Sequence, residues 1–210
     1  MTQQKTIYHL IVDKSGSMSD CIEQTITGFN EQVSKVRELR QQYPEQELTI
    51  GLTTFNGEVF EHFYQSHPES IHLLTPATYV PNGSTALLDA IGQSTLHIEQ
   101  LLQHQPKNSE VTVVMVILTD GEENASRRYT LKDISTTISR LQETGKWTFS
   151  FIGATLDAVE VAASMSIRKQ NSFVFEKENM KSGLFDRLSD SMENYIMKKR
   201  AGGKLDDYFS

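Results

Sequence analysis

The chain has 210 residues, 38% of them apolar, and its 27 acidic against 20 basic side chains give a formal net charge of -7. That length suits one substantial domain with a full hydrophobic core, and the acidic balance argues against a nucleic-acid or anionic-membrane surface. The longest apolar run, residues 113–118, is too short to span a bilayer. The single cysteine, Cys21, excludes an internal disulfide or a thiolate-rich metal site and points to a reducing compartment. The opening MTQQKT leads into a strand with no basic-plus-apolar leader, so the expected location is the cytoplasm.

Residues 7–12 carry bulk at alternate positions on both faces, as a central strand does. The strand stops at Asp13, and Ser15 and Ser17 follow around Gly16. An amphipathic segment then begins near Asp20, with Ile22, Ile26, Phe29, Val33 and Val36 forming one helical stripe that ends before Pro44. LTIGLTTF, residues 48–55, is a second strand. Asn56-Gly57 is a strong hairpin signal, and residues 58–65 read as its antiparallel partner. Residues 67–83 hold three prolines and no period, so an irregular crossover with at most one short strand or turn is expected there.

After Ser84-Thr85, residues 87–102 have helical spacing, and Pro106 lies beyond their end. VTVVMVIL, residues 111–118, is the unbroken β-branched run of a parallel strand covered on both faces; it leads into Thr119-Asp120-Gly121. A helix over 130–143 ends at Gly145. A strand from Trp147, a short helix over 156–165, a short strand over 171–175 and a closing helix with Leu184, Leu188, Met192 and Ile196 on its apolar side complete the pattern. This alternation predicts a doubly wound, mostly parallel six-stranded α/β sheet with one antiparallel edge strand and helices on both faces. A single domain over residues 1–200 is expected, with a loosely packed C-terminal tail over 201–210.

In such a sheet, ligands bind outside the carboxyl ends of the strands, where the strand order reverses. Three polar signals fall there: Asp13-x-Ser15-x-Ser17, Thr85 before the second helix, and Asp120 after the most buried strand. Every donor is an oxygen, which suits magnesium, calcium or manganese rather than zinc or copper. Two carboxylates supply a divalent ion with few of its ligands and no surplus charge, so hydroxyls and waters fill its shell and one position is open to a carboxylate from another protein. Taken singly, Asp-x-Ser-x-Ser is as consistent with helix capping, Thr85 with a turn or cap, and Asp120-Gly121 with an ordinary turn; their joint placement favours a site.

Enzyme readings fit less well. A phosphoaspartyl phosphatase would place Asp13 correctly, but Ser15 stands where its second acid belongs. There is no GxSxG elbow, none of the six histidines is an evident base, and Asn82-Gly83-Ser84-Thr85 lacks the Gly-Lys pair of a phosphate loop. Cys21 and the aromatics Trp147, Phe149 and Phe151 read as core.

IVDKSGSM (11–18), NGSTALLDAI (82–91) and ILTDGEEN (117–124), in this order, resemble the von Willebrand factor type A domain, and among its members the stand-alone bacterial or phage type. Residues 149–167 also resemble the later part of these bacterial domains. The resemblance implies a metal-ion-dependent adhesion site with Asp13, Ser15 and Ser17 as first-loop ligands, Thr85 as the second and Asp120 as the third. Mg²⁺ is the expected ion, with Ca²⁺ or Mn²⁺ as substitutes. It further implies a non-enzymatic module, a regulatory or assembly subunit that binds an acidic side chain of a partner protein at the metal. The alternatives are a metal-dependent phosphatase or hydrolase, and a structural subunit with an unused site.

Overall fold

The computed structural model describes residues 3–105, 109–120, 122–154, 158–175, 183–205 and 207–209. Its elements are β1 (Gln3–Asp13), a 3-10 turn (Gly16–Cys21), α1 (Ile22–Gln42), β2 (Gln46–Phe55), β3 (Val59–Ser66), α2 (Leu87–Gln103), β4 (Ser109–Thr119), α3 (Leu131–Glu143), β5 (Trp147–Gly153), α4 (Ala158–Ser164), β6 (Ser172–Val174) and α5 (Leu184–Arg200). The expected positions Pro106, Gly121 and Leu156 lie outside the described residues.

The strand order is β3-β2-β1-β4-β5-β6, parallel throughout except for the β2–β3 hairpin. This is the predicted architecture. The central strand β1 pairs with β2 through Asp13↔Phe55 on one side and with β4 through Val12↔Leu118 on the other. The chain winds outward from β1 in one direction through β2 and β3, then returns to wind the other way from β4. The crevice between β1 and β4 is therefore the switch point of the sheet.

Period-two alternation assigns each strand's side chains to one of two cores. On β1 and β4, Tyr8, Leu10, Val12, Val114, Val116 and Leu118 pack under α1 and α5 with Phe29, Val33, Leu188 and Met192. Ile7, Ile11, Val113, Met115 and Ile117 face the opposite way, against Leu87, Ile91, Ile134, Ile138 and Ala162 of α2, α3 and α4. A capping box, with Thr130 and Asp133 each bonding the other's backbone N–H, starts α3.

Three local features refine or correct the expected pattern. The first helix starts at Ile22, close to the expected Asp20, after a 3-10 turn that runs to Cys21, in which Ser15 and the short residues after it close i→i+3 bonds before the apolar stripe takes over. The 67–83 crossover is irregular as expected, and its one short element is a 3-10 turn at Pro68–Ser70. The tail is not loose. Tyr208 is 1% exposed, its N–H is bonded to Asn171 Oδ1 at 2.8 Å, and it joins the core beneath α1 and α5.

Several polar residues are buried in the sheet, His9 among them. His9 on β1 is paired in register with Gly51 on β2, and its ring lies where a Cβ at Gly51 would be, 2.1 Å from Nδ1. Its Nε2 meets the Thr53 hydroxyl at 3.0 Å, and its ring stacks on Tyr64, which stacks in turn on His97. Burial, aided by His97, drives the His9 pKa from 6.5 down to about 3. The unfolded chain therefore takes up a proton at His9 near pH 6.5 that the folded chain refuses until about pH 3, so this contribution is intact above pH 6.5 and lost as pH falls through that window. Urea unfolding between pH 7.5 and 4 should show stability falling more steeply for wild type than for His9→Gln; parallel slopes would contradict the assignment.

Candidate functional site

The carboxyl ends of β1 and β4 carry the polar loops, and Asp13 ties them together. Its side chain is fully buried. Oδ1 accepts the Ser15 N–H at 2.6 Å, a local turn two residues on, and Oδ2 accepts the Thr119 hydroxyl at 2.6 Å from the end of β4. The Asp13 carbonyl accepts the Tyr79 hydroxyl at 2.6 Å. Burial pushes the Asp13 pKa up, and the negative charge of Asp120 adds to this, while the bonds from Thr119 and Ser15 oppose it.

From Ser15 a chain of oxygens crosses to the β4 loop. Ser15 Oγ lies 3.1 Å from Ser17 Oγ, and Ser17 donates to Asp120 Oδ1 at 2.7 Å. Four of the five expected ligands thus form one hydrogen-bonded set. Thr85 reaches the same end through its backbone. Its N–H bonds Asn124 Oδ1 at 2.9 Å, and its carbonyl receives the N–H groups of Asn124 at 3.0 Å and Ala125 at 3.2 Å. Lys14 takes no part: its ammonium sits 3.5 Å from the centre of the Phe60 ring, on the hairpin side.

The loops are cross-bonded to one another. Gly16 N–H bonds the Gly83 carbonyl at 3.0 Å, and Asn82 N–H bonds the Lys14 carbonyl at 2.9 Å. Gly83 has φ +74°, a left-handed conformation that a side chain would strain. Two further acids, not singled out from the sequence, brace the segment after β4. Glu123 accepts the N–H groups of Leu88, Ala125 and Ser126 and the Ser126 hydroxyl. Asp89, in the first turn of α2, accepts the N–H groups of Arg127, Arg128 and Tyr129. Asp89 offers one sequence signal, an acid in the first turn of a helix; Glu123 lies in an irregular segment and offers none.

Among the described residues, no group of three or more His, Cys, Asp or Glu side chains is arranged to hold a metal. The assembled set consists instead of two carboxylates and neighbouring hydroxyls, a donor chemistry suited to a hard cation.

A doubly wound, mostly parallel sheet with helices on both faces and polar loops at its switch point defines a Rossmann-like α/β domain. Over residues 9–190 the chain matches the von Willebrand factor type A domain model, and it belongs to that family. No curated protein sequence matches it. Similar solved structures include the ArnB paralog VWA2 from Sulfolobus acidocaldarius, 16% identical with TM-score 0.55, covering 89% of this chain and 45% of that one. Proximal thread matrix protein 1 from the mussel byssus is 17% identical with TM-score 0.56, covering 91% and 44%. The vWF domain of the type V pili tip protein from Porphyromonas gingivalis is 10% identical with TM-score 0.62, covering 93% and 97%. At these identities the likeness is one of fold, and the chain spans under half the length of the first two proteins.

The comparisons overturn the cytoplasmic expectation, since a byssal thread and a pilus tip are structures outside the cell. The inference from Cys21 fails for a physical reason: a chain with one cysteine forms no internal disulfide in any compartment, so its thiol count carries no redox information. Among the described residues no helix is long and apolar enough to cross a membrane.

The Thr119–Asp13 contact gives a direct test of how the loops are held. Thr119→Val leaves a buried carboxylate oxygen without its hydroxyl donor and should cost about 1–3 kcal/mol, measured by urea unfolding in EDTA. An unchanged midpoint would show that the contact does not brace the crevice.

Proposed function

We propose that the domain is a divalent-metal-dependent protein-binding module, with Ser15, Ser17 and Thr85 beside Asp13 and Asp120 around one Mg²⁺-type ion. The supporting observation is the spacing of the oxygens. Ser15 Oγ to Ser17 Oγ is 3.1 Å and Ser17 Oγ to Asp120 Oδ1 is 2.7 Å. Adjacent corners of an octahedron with Mg–O bonds of 2.0–2.1 Å stand about 2.9 Å apart. These oxygens thus already lie at the mutual distances of adjacent magnesium ligands, and an ion would replace their hydrogen bonds to one another with little rearrangement. Calcium or manganese would need only modest widening.

Two carboxylates neutralise a divalent ion without oversupplying it, leaving it able to take a carboxylate from a partner protein as a further ligand. When bound, the ion supplies Lewis acidity toward that carboxylate. The chain's own residues supply position, with Asp13 anchored by Thr119 and the Thr85 loop bonded to Asn124. The adhesion-site branch of the family, which the three motifs resemble, works in this way. A structural reading has support as well, because a byssal matrix protein and a pilus tip protein share the fold.

Calorimetric titration with Mg²⁺ and Mn²⁺ tests the proposal. Wild type should bind one ion per chain, weakly, because only two formal charges face it. Asp13→Ala and Asp120→Ala should each lose that binding. Equal binding by all three proteins would remove the ion from this crevice, and no binding by wild type would leave the structural reading.

A further inference from the structure

Beside the oxygen cluster the structure holds a cavity of ≈ 220 Å³ that shares Thr119 and Asp120 with the site. Its other walls are largely apolar, with Leu88 from α2, Leu131 from α3, Phe151 from β5, and Val161 and Met165 from α4 and its end. The volume is below the about 300–1,000 Å³ typical of small-molecule pockets, and it suits one large side chain. An anionic occupant is disfavoured, because Asp120, Glu122 and Glu123 all border the space. Both Glu123 carboxylate oxygens are already engaged by backbone N–H groups and the Ser126 hydroxyl, so Glu123 serves the loop and not a ligand. An uncharged apolar group therefore fits the cavity itself, while the oxygens next to it suit a carboxylate.

We propose that the cavity receives a bulky apolar side chain, aromatic by preference, from the same partner segment that offers a carboxylate at the metal; this rests on the metal-dependent reading above. The shared Asp120 makes the two contacts adjacent. In an extended segment, side chains two residues apart point to the same face about 6–7 Å from each other. The partner is thus a protein segment in which an acidic residue and a large apolar residue are two positions apart. An apolar anchor seated in a pocket beside a desolvated charge contact is the arrangement in which a few residues supply most of the affinity.

The test uses the full chain and synthetic peptides in Mg²⁺, with affinities read by NMR titration. The probes are acetyl-Asp-Gly-Phe-amide, its reversed order acetyl-Phe-Gly-Asp-amide, and acetyl-Asp-Gly-Gly-amide. One of the two Phe peptides should bind wild type about tenfold or more tightly than the Gly peptide. Val161→Trp fills the cavity and should reduce that preference to below about threefold, with the Gly peptide unaffected. Leu131→Ser alters the rim at an exposed position, 44% accessible, where folding tolerates the change, and should also reduce the preference. Equal binding of Phe and Gly peptides to wild type, or a preference that survives both substitutions, overturns the cavity assignment and leaves the metal reading intact. Phe-peptide binding that persists in EDTA, or no binding of any peptide to protein that holds Mg²⁺, overturns the pairing of metal and cavity.

Discussion

The carboxylate of Asp13 is the constraint on which the loop end of the sheet depends. It is fully buried at the end of the central strand, where an unpartnered charge would cost several kcal/mol. Its two oxygens are satisfied from two directions, by the Ser15 N–H of its own loop and by the Thr119 hydroxyl of β4. Those bonds fold the first loop back on itself and hold it against the neighbouring strand. Tyr79 adds a third tie through the Asp13 carbonyl. Once Asp13 is fixed, Ser15 and Ser17 have little choice of direction, and the oxygen chain to Asp120 follows.

The second requirement is that the loop after β4 stay in place although it has no regular structure. Its backbone N–H groups supply the means. Asp89 takes three of them from residues 127–129, and Glu123 takes two from its own loop together with one from α2. Bonds from backbone N–H to carboxylate are charge-assisted and strong. Both acids lie at the start of α2 or against it, where the helix dipole favours negative charge. The result positions Asn124 to hold Thr85 at both its N–H and its carbonyl.

Much of this was legible in the sequence, and the physical reasons for success and failure differ by residue. The alternation on β1 and the unbroken β-branched run of β4 reflect burial on both faces, which periodicity reports directly. Asp13, Ser15, Ser17 and Asp120 were legible because they follow strands whose parallel order could be inferred. Tyr79 was not, since it acts on Asp13 across 66 residues from a segment without a period. Asp89 and Glu123 look like ordinary helix-start and turn acids, and their partners are backbone groups, which carry no residue identity. Tyr208 was hidden in a short tail of glycines and charges, although its ring is buried beside Tyr195 and Phe209. The burial of His9 depends on Gly51 across the ladder, which makes room for its ring, a pairing that no local pattern reports.

The low charge of the proposed centre decides how it would work. Burial pushes the Asp13 pKa upward and the charge of Asp120 adds to it, so a divalent ion between the two carboxylates would offset both the desolvation and their mutual repulsion. A third protein carboxylate would tighten the ion at the expense of its pull on a partner. With two, a metal held there would raise the affinity for a partner's acidic side chain, and by linkage the partner would raise the affinity for the metal by the same factor. A bare cation accepts any accessible carboxylate, and that contact weakens as salt rises. Discrimination between partners must then come from what lies next to the ion. In this fold the neighbouring feature is the cavity behind Asp120, whose apolar walls respond to the shape of a side chain and not to its charge.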